Sequence, residues 1–131
     1  MNGLAPKVLV VDNDAGLLMA VTTRLESVGY RCVQAQSGAQ AFAELRRDSF
    51  DLLITDLNMP LGDGMVLAST FRRVSEAPIV VISGFVVDYA QELGEIKNVT
   101  VMPKPFETHQ LVDTIVGLVP CTANESYKQA G

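Results

Sequence analysis

The feature that most constrains this sequence is an alternation, repeated five times, between a short apolar run and a stretch with helical spacing. The runs are KVLVV (7–11), RCVQA (31–35), DLLIT (51–55), PIVVI (78–82) and VTVM (99–102). They are rich in Val and Ile, and three are nearly continuous. That is what strands buried on both faces of a parallel sheet require. Between them, apolar residues recur at steps of three and four: Leu18, Val21, Leu25 and Val28, then Leu111, Ile115 and Leu118 near the end. Shorter stripes are Ala41, Phe42 and Leu45, Leu67 and Phe71, and Val86, Ala90 and Leu93. Each stripe is one apolar helix face.

The punctuation agrees with this reading. Gly29 ends the first helix, and Ser37-Gly38 opens the second. Pro78 stands at a strand start, where a missing N–H is tolerated. The order predicts an α/β fold of five βα units, with helices on both faces of a doubly wound, five-stranded parallel sheet. The folded domain is expected over 7–119. Residues 120–131 lose periodicity and read as a flexible tail or the start of a linker.

Composition narrows the function. At 131 residues the chain suits one domain, and 48% apolar against 19% charged residues exclude a disordered chain. A net charge of −5 argues against direct binding to nucleic-acid phosphates. Cys32 and Cys121 are the two cysteines, with no metal-binding spacing around them. No apolar run approaches the ~20 residues of a membrane span, and MNGLAPK lacks the shape of a signal peptide. A soluble cytoplasmic protein is expected.

In open α/β sheets, ligands bind beyond the carboxyl ends of the strands. The first strand delivers Asp12, Asn13 and Asp14 there, the third Asp56, the fourth Ser83 and the fifth Lys104. Crowded carboxylates stay ionised only when a cation joins them. Lys104 is one cation. Mg²⁺, which prefers one or two carboxylates plus waters and phosphate oxygens, is the natural second. A carboxylate so placed can attack phosphorus and form an aspartyl phosphate, with the cations neutralising the charge in transfer.

VLVVDND, LLITDLNMPLGDG, PIVVISG and MPKPF closely resemble the receiver domain of two-component response regulators. The spacings from Asp12 to Asp56, to Ser83 and to Lys104, 44, 27 and 21 residues in turn, fit the resemblance. It implies the flavodoxin-like strand order 2-1-3-4-5. It also implies that Asp56 is the phospho-acceptor and that Asp12, Asn13, Asp56 and the carbonyl of Asn58 hold Mg²⁺. Ser83 would be the switch hydroxyl. Lys104 would pair with Asp56 and then with the phosphate, and the Lys104–Pro105 bond would be cis. The implied phosphoryl donor is a sensor histidine kinase or a phosphotransfer protein. The implied output is a change on the face of the fourth helix, fifth strand and fifth helix, read by an effector domain or a second copy. Apart from catalysing its own phosphorylation, such a domain is not an enzyme.

Two positions depart from the family pattern. Asn13 replaces a usual acid, which predicts weaker Mg²⁺ binding; Asp14 then either compensates through a water or caps the first helix. Val101 stands where many receivers carry an aromatic whose rotation reports phosphorylation. Phe85 either shields the phosphate or joins Val86 and Val87 in a partner-facing patch. The lone histidine, His109, lies early in the last helix, far from the acids in chain terms, and does not read as a phosphohistidine carrier. Gly62, Asp63 and Gly64 read as turn residues, and Arg46-Arg47 and Arg72-Arg73 as cations at helix ends.

Two further functions stay open. A receiver-like adaptor would bind a partner without phosphorylation. A phosphatase of the haloacid-dehalogenase type would use Asp12 as nucleophile and Asp14 as acid/base, although no acidic pair follows Lys104. A flavodoxin is disfavoured, because an acidic first loop repels the FMN phosphate.

Overall fold

A computed structural model describes residues 5–60, 63–84 and 90–120. Its strands are β1 (Lys7–Val11), β2 (Arg31–Ala35), β3 (Leu52–Asp56), β4 (Ile79–Ser83) and β5 (Val99–Pro103). Its helices are α1 (Ala15–Ser27), α2 (Gly38–Arg47), α3 (Asp63–Val74), α4 (Ala90–Gly94) and α5 (Thr108–Leu118). The strands form one parallel sheet in the order β2-β1-β3-β4-β5. This is the flavodoxin-like arrangement that the resemblance implies.

Side-chain alternation along the inner strands divides the core in two. Val8, Val10, Leu52, Ile54, Val80 and Ile82 point to one face, where Leu18, Val21 and Leu25 of α1 meet Leu111, Val112 and Ile115 of α5. Leu9, Val11, Leu53, Ile79 and Val81 point to the other, under Ala41 of α2, Leu67 and Phe71 of α3, and Leu93 of α4. The three continuous apolar runs are the inner strands, with β3 and β4 buried throughout. RCVQA, the most polar run, is the half-exposed edge strand β2.

Helix ends follow local chemistry. The Asp14 carboxylate accepts hydrogen bonds from the Gly16 and Leu17 backbone N–H groups at 3.0 and 3.2 Å, which caps α1. Gly29 turns the chain out of α1 with φ at 110°, a conformation that suits glycine. The Ser37 hydroxyl caps α2 through the Gln40 N–H at 3.1 Å. Arg72 does more than complement a helix dipole. Its guanidinium donates to the carbonyls of Ser75 and Lys97 at 2.6 and 2.9 Å, which ties the end of α3 to the approach to β5.

The runs at 51–55, 78–82 and 99–102 are displaced from the strands they mark. β3 and β4 each begin and end one residue later than their runs, and β5 extends one residue further. The cause is pairing at the carboxyl edge, where Asp56 aligns with Ile82 and Ser83 with Pro103. The candidate site residues Asp56 and Ser83 are thus the last residues of their strands, held by the sheet itself. Phe85, Val86, Val87 and Cys121 lie outside the described residues, as does all of the expected tail except Pro120. Among the described residues, no helix is long and apolar enough to cross a membrane.

Candidate functional site

Four strand ends bring the site together. Asp12 directly follows β1, and its N–H still donates to the Ala35 carbonyl at 3.1 Å, so the sheet fixes its backbone. Its side chain is buried. Oδ1 accepts the Asp14 N–H at 2.8 Å, while Oδ2 is buried with no hydrogen-bond partner. Burial is the main cause that pushes the Asp12 carboxyl above the usual carboxylate range. The Asp14 N–H acts against this, the Asp56 charge adds to it, Lys104 opposes it, and the Asp14 charge adds a little more.

Asp56 has both carboxylate oxygens engaged. Oδ1 accepts the Asn58 N–H at 2.9 Å, and Oδ2 accepts from Lys104 Nζ at 3.1 Å. Ser83 is fully buried at the end of β4. Its hydroxyl donates to the Asn58 side-chain oxygen at 3.4 Å, and its carbonyl accepts the Lys104 N–H at 3.2 Å. Lys104 is followed by a cis peptide bond to Pro105. The Leu57 N–H donates to the Ile82 carbonyl at 3.0 Å, which extends the β3–β4 pairing just beyond Asp56.

The structure gathers Asp12, Asp56, Ser83, Asn58 and Lys104 at one rim. Asn13 is exposed directly beside Asp12. Asp14 serves as the α1 cap, one of the two roles open to it, through its Oδ1. Val101 does not reach the rim. It lies mid-strand, paired with Val81 and packed toward the α2–α4 face. His109 is exposed on α5. One contact escaped the sequence reading: Asn58 meets Ser83 through its side-chain amide, whereas only its carbonyl was expected to matter. An amide two residues past Asp56 was the available signal.

The donor set suits a hard divalent cation. Asp12 and Asp56 supply carboxylate oxygens, and Asn13 and Asn58 supply neutral ones, within the oxygen chemistry of Mg²⁺. The unpartnered Asp12 Oδ2 is the specific fit, since a buried carboxylate oxygen without a donor is what a cation satisfies. Among the described residues, no group of three or more His, Cys, Asp or Glu side chains could hold a metal, so the site offers two carboxylates rather than a closed cage.

Comparison with known proteins matches this arrangement. The family model described as the response regulator receiver domain matches residues 8–116. The transcriptional regulatory protein CpxR of Escherichia coli is 32% identical over 110 residues, which is 83% of this chain and 47% of that protein. The transcriptional regulatory protein GlrR of the same species is 41% identical over 76 residues, 57% of this chain and 17% of its own length. The chain thus spans about half or less of these curated relatives. Among solved structures, the chemotaxis response regulator CheY4 of Vibrio cholerae superposes with a TM-score of 0.79 at 26% identity, covering 88% of this chain and 99% of that one. A response regulator receiver protein from Sinorhizobium medicae superposes equally well, at 0.79 and 28% identity, covering 87% of this chain and 94% of that one.

Proposed function

Because the chain belongs to the response regulator receiver domain family, we propose that Asp56 accepts a phosphoryl group from a sensor histidine kinase or a phosphotransfer protein, in a Mg²⁺-dependent reaction. One observation carries the reading. The buried Asp56 carboxylate is held by Lys104 at 3.1 Å, at the rim where Asp12 keeps an unsatisfied buried oxygen.

In the transfer, an Asp56 carboxylate oxygen forms the new O–P bond as the donor's N–P bond breaks. The departing imidazole nitrogen keeps the electron pair. The Asn58 N–H and the Lys104 ammonium orient the two Asp56 oxygens before the reaction. Lys104 then follows the negative charge onto the phosphoryl oxygens. The Ser83 hydroxyl leaves the Asn58 amide and donates to a phosphoryl oxygen. Mg²⁺, held by Asp12, Asp56, Asn13 and the Asn58 carbonyl, would supply charge neutralisation at the transferring group.

The change is then read on the face of α4, β5 and α5 by an effector domain or a second copy. The chain works in the cytoplasm and catalyses only its own phosphorylation. Transcriptional output of the kind named for CpxR and GlrR would belong to segments outside the matched region.

Asn13 favours a second reading, an adaptor that binds its partner without phosphorylation, because it removes one charge from the metal site. One experiment separates the two. Acetyl phosphate, or beryllofluoride, is added with millimolar Mg²⁺ while backbone amide NMR shifts are followed. The acceptor reading expects shifts around Asp56, Ser83 and Lys104 that are lost in Asp56→Asn. An unchanged spectrum moves the assignment to the adaptor.

A further inference from the structure

Gly38 and Gly64 have no room for a side chain, and what fills that room differs between them. A methyl group built on Gly38, the first residue of α2, would lie 2.4 Å from Asp63 Oδ2 and 2.6 Å from its Cγ. The Asp63 side chain, on the first residue of α3, therefore rests directly on the start of α2. A methyl group on Gly64 would lie 2.3 Å from the Asp56 carbonyl oxygen and 2.8 Å from Leu57 Cα. The start of α3 thus presses on the backbone of the acceptor itself. The two contacts fall on consecutive residues, so α2, α3 and the Asp56 peptide form one stack without slack.

We infer that Asp63, seated on Gly38, is a positioning residue for the phospho-acceptor, acting through Gly64 on the Asp56–Leu57 backbone. This rests on the acceptor role of Asp56. Asp56 Oδ1 is oriented by the Asn58 N–H at 2.9 Å, and Asn58 follows the residue whose Cα faces Gly64. A displacement of α3 would press on the Asp56 carbonyl and on Leu57, and so disturb the loop that carries Asn58 relative to Lys104 and Asp12, which follow other strands. The Asp63 side chain thus fixes the spacing of two helices by contact.

The test compares Gly38→Ala, Gly38→Ala/Asp63→Ala and the control Gly117→Ala, where an added methyl meets nothing within 4 Å. Two readouts are taken where circular dichroism shows each variant folded. One is the rate of acyl-phosphate formation at saturating acetyl phosphate and Mg²⁺. The other is the Asn58 amide proton shift, which reports its bond to Asp56 without any phosphorylation. Gly38→Ala is expected to slow labelling by about tenfold or more, since small misplacements of reacting groups are costly, and to move the Asn58 amide. Removing the Asp63 side chain relieves the clash and is expected to bring both readouts only part of the way back, the remaining deficit being the loss of the Asp63 seat, whereas Gly117→Ala changes neither; complete recovery would show Asp63 to be dispensable and overturn the positioning role. A Gly38→Ala protein that loses stability but keeps the wild-type maximal rate and amide shift overturns the positioning role. If even the wild type forms no acyl phosphate, the acceptor reading fails, and the Asn58 shift alone still decides whether Asp63 positions that loop.

Discussion

The Lys104 ammonium reaches across the end of β4 to the buried Asp56 carboxylate on β3, closing a 3.1 Å ion pair between strands that are not neighbours in the sheet. Asp56 is 2% exposed at its side chain and Lys104 is 30% exposed. The lysine thus remains partly hydrated while the acid depends on it. A buried charge that loses its partner is strongly penalised, more than the intact pair gains.

That asymmetry predicts the outcome of a double-mutant cycle. Lys104→Ala is expected to lower stability by about 1–2 kcal/mol, reduced from a fully buried case because water reaches the ammonium. Asp56→Asn alone removes the charge that needs compensation, so adding Lys104→Ala to it should cost markedly less. Urea unfolding at pH 7 in EDTA measures all four corners. Strict additivity would show that the two groups do not interact in solution.

Asp12 predicts a pH effect of defined sign. Its carboxyl titrates above its usual value in the folded chain, chiefly through burial. The folded state therefore holds the proton more tightly than the unfolded state. The associated stability is present below about 3.9, the unfolded value, and is lost as pH rises through the higher folded value. Compared with Asp12→Asn, the wild type should lose stability in EDTA as the pH rises above about 4. Mg²⁺ should then stabilise the wild type, by about 1.4 kcal/mol at ten times its dissociation constant, and leave the variant nearly unchanged. Urea melts of both proteins, with and without Mg²⁺, provide the comparison. Equal pH slopes would contradict a burdened Asp12.

Cys32 lies partly buried on β2, and burial, with a smaller contribution from the Glu26 charge, pushes its thiol up to about 12. The thiolate is the reactive form, so at pH 8 its population falls about a thousandfold below that of an ordinary cysteine. In a Cys121→Ser background, a disulfide reagent should label Cys32 slowly in the folded chain and rapidly in urea. Stability should also decline above about pH 8.5, where the unfolded thiol ionises and the folded one does not. Fast labelling of the native protein would place Cys32 in water.

The parts of this molecule that the sequence made legible are those governed by local pattern. Continuous Val and Ile runs marked β1, β3 and β4 as inner strands, and three-four spacing marked the faces of α1 and α5. The strand-end residues Asp12, Asp56, Ser83 and Lys104 could be paired in advance because parallel strands all deliver their ends to one edge. The strand ends themselves were misplaced by one residue. Pairing of Asp56 with Ile82 is a property of two segments together, and apolar runs do not reveal where polar residues continue the ladder. The Asp63–Gly38 contact was illegible for the same reason. Residues 25 positions apart meet only because α2 and α3 pack on the same face of the sheet. From the sequence, Gly62, Asp63 and Gly64 only shape the turn into the third helix.

Asn13 offers the most direct test of the proposed Mg²⁺ site. It is exposed and adjacent to Asp12, so Asn13→Asp adds a charge at the edge of the rim without disturbing the core. A unit charge 4 Å from a cation is worth at most about 4 kcal/mol at an effective dielectric near 20. Water and salt at this exposed position reduce the gain to about 1 kcal/mol, roughly a fivefold increase in Mg²⁺ affinity. In EDTA the same substitution should slightly destabilise the chain, because a further carboxylate repels Asp12 and Asp56. The two effects have opposite signs, which no general change in folding would produce. Mg²⁺ titrations by NMR at low and high salt, paired with urea melts, read both. The affinity gain should shrink as ionic strength rises. A variant that binds Mg²⁺ no better than the wild type would mean that position 13 faces away from the ion, and that Asp12 and Asp56 hold it without help from this neighbour.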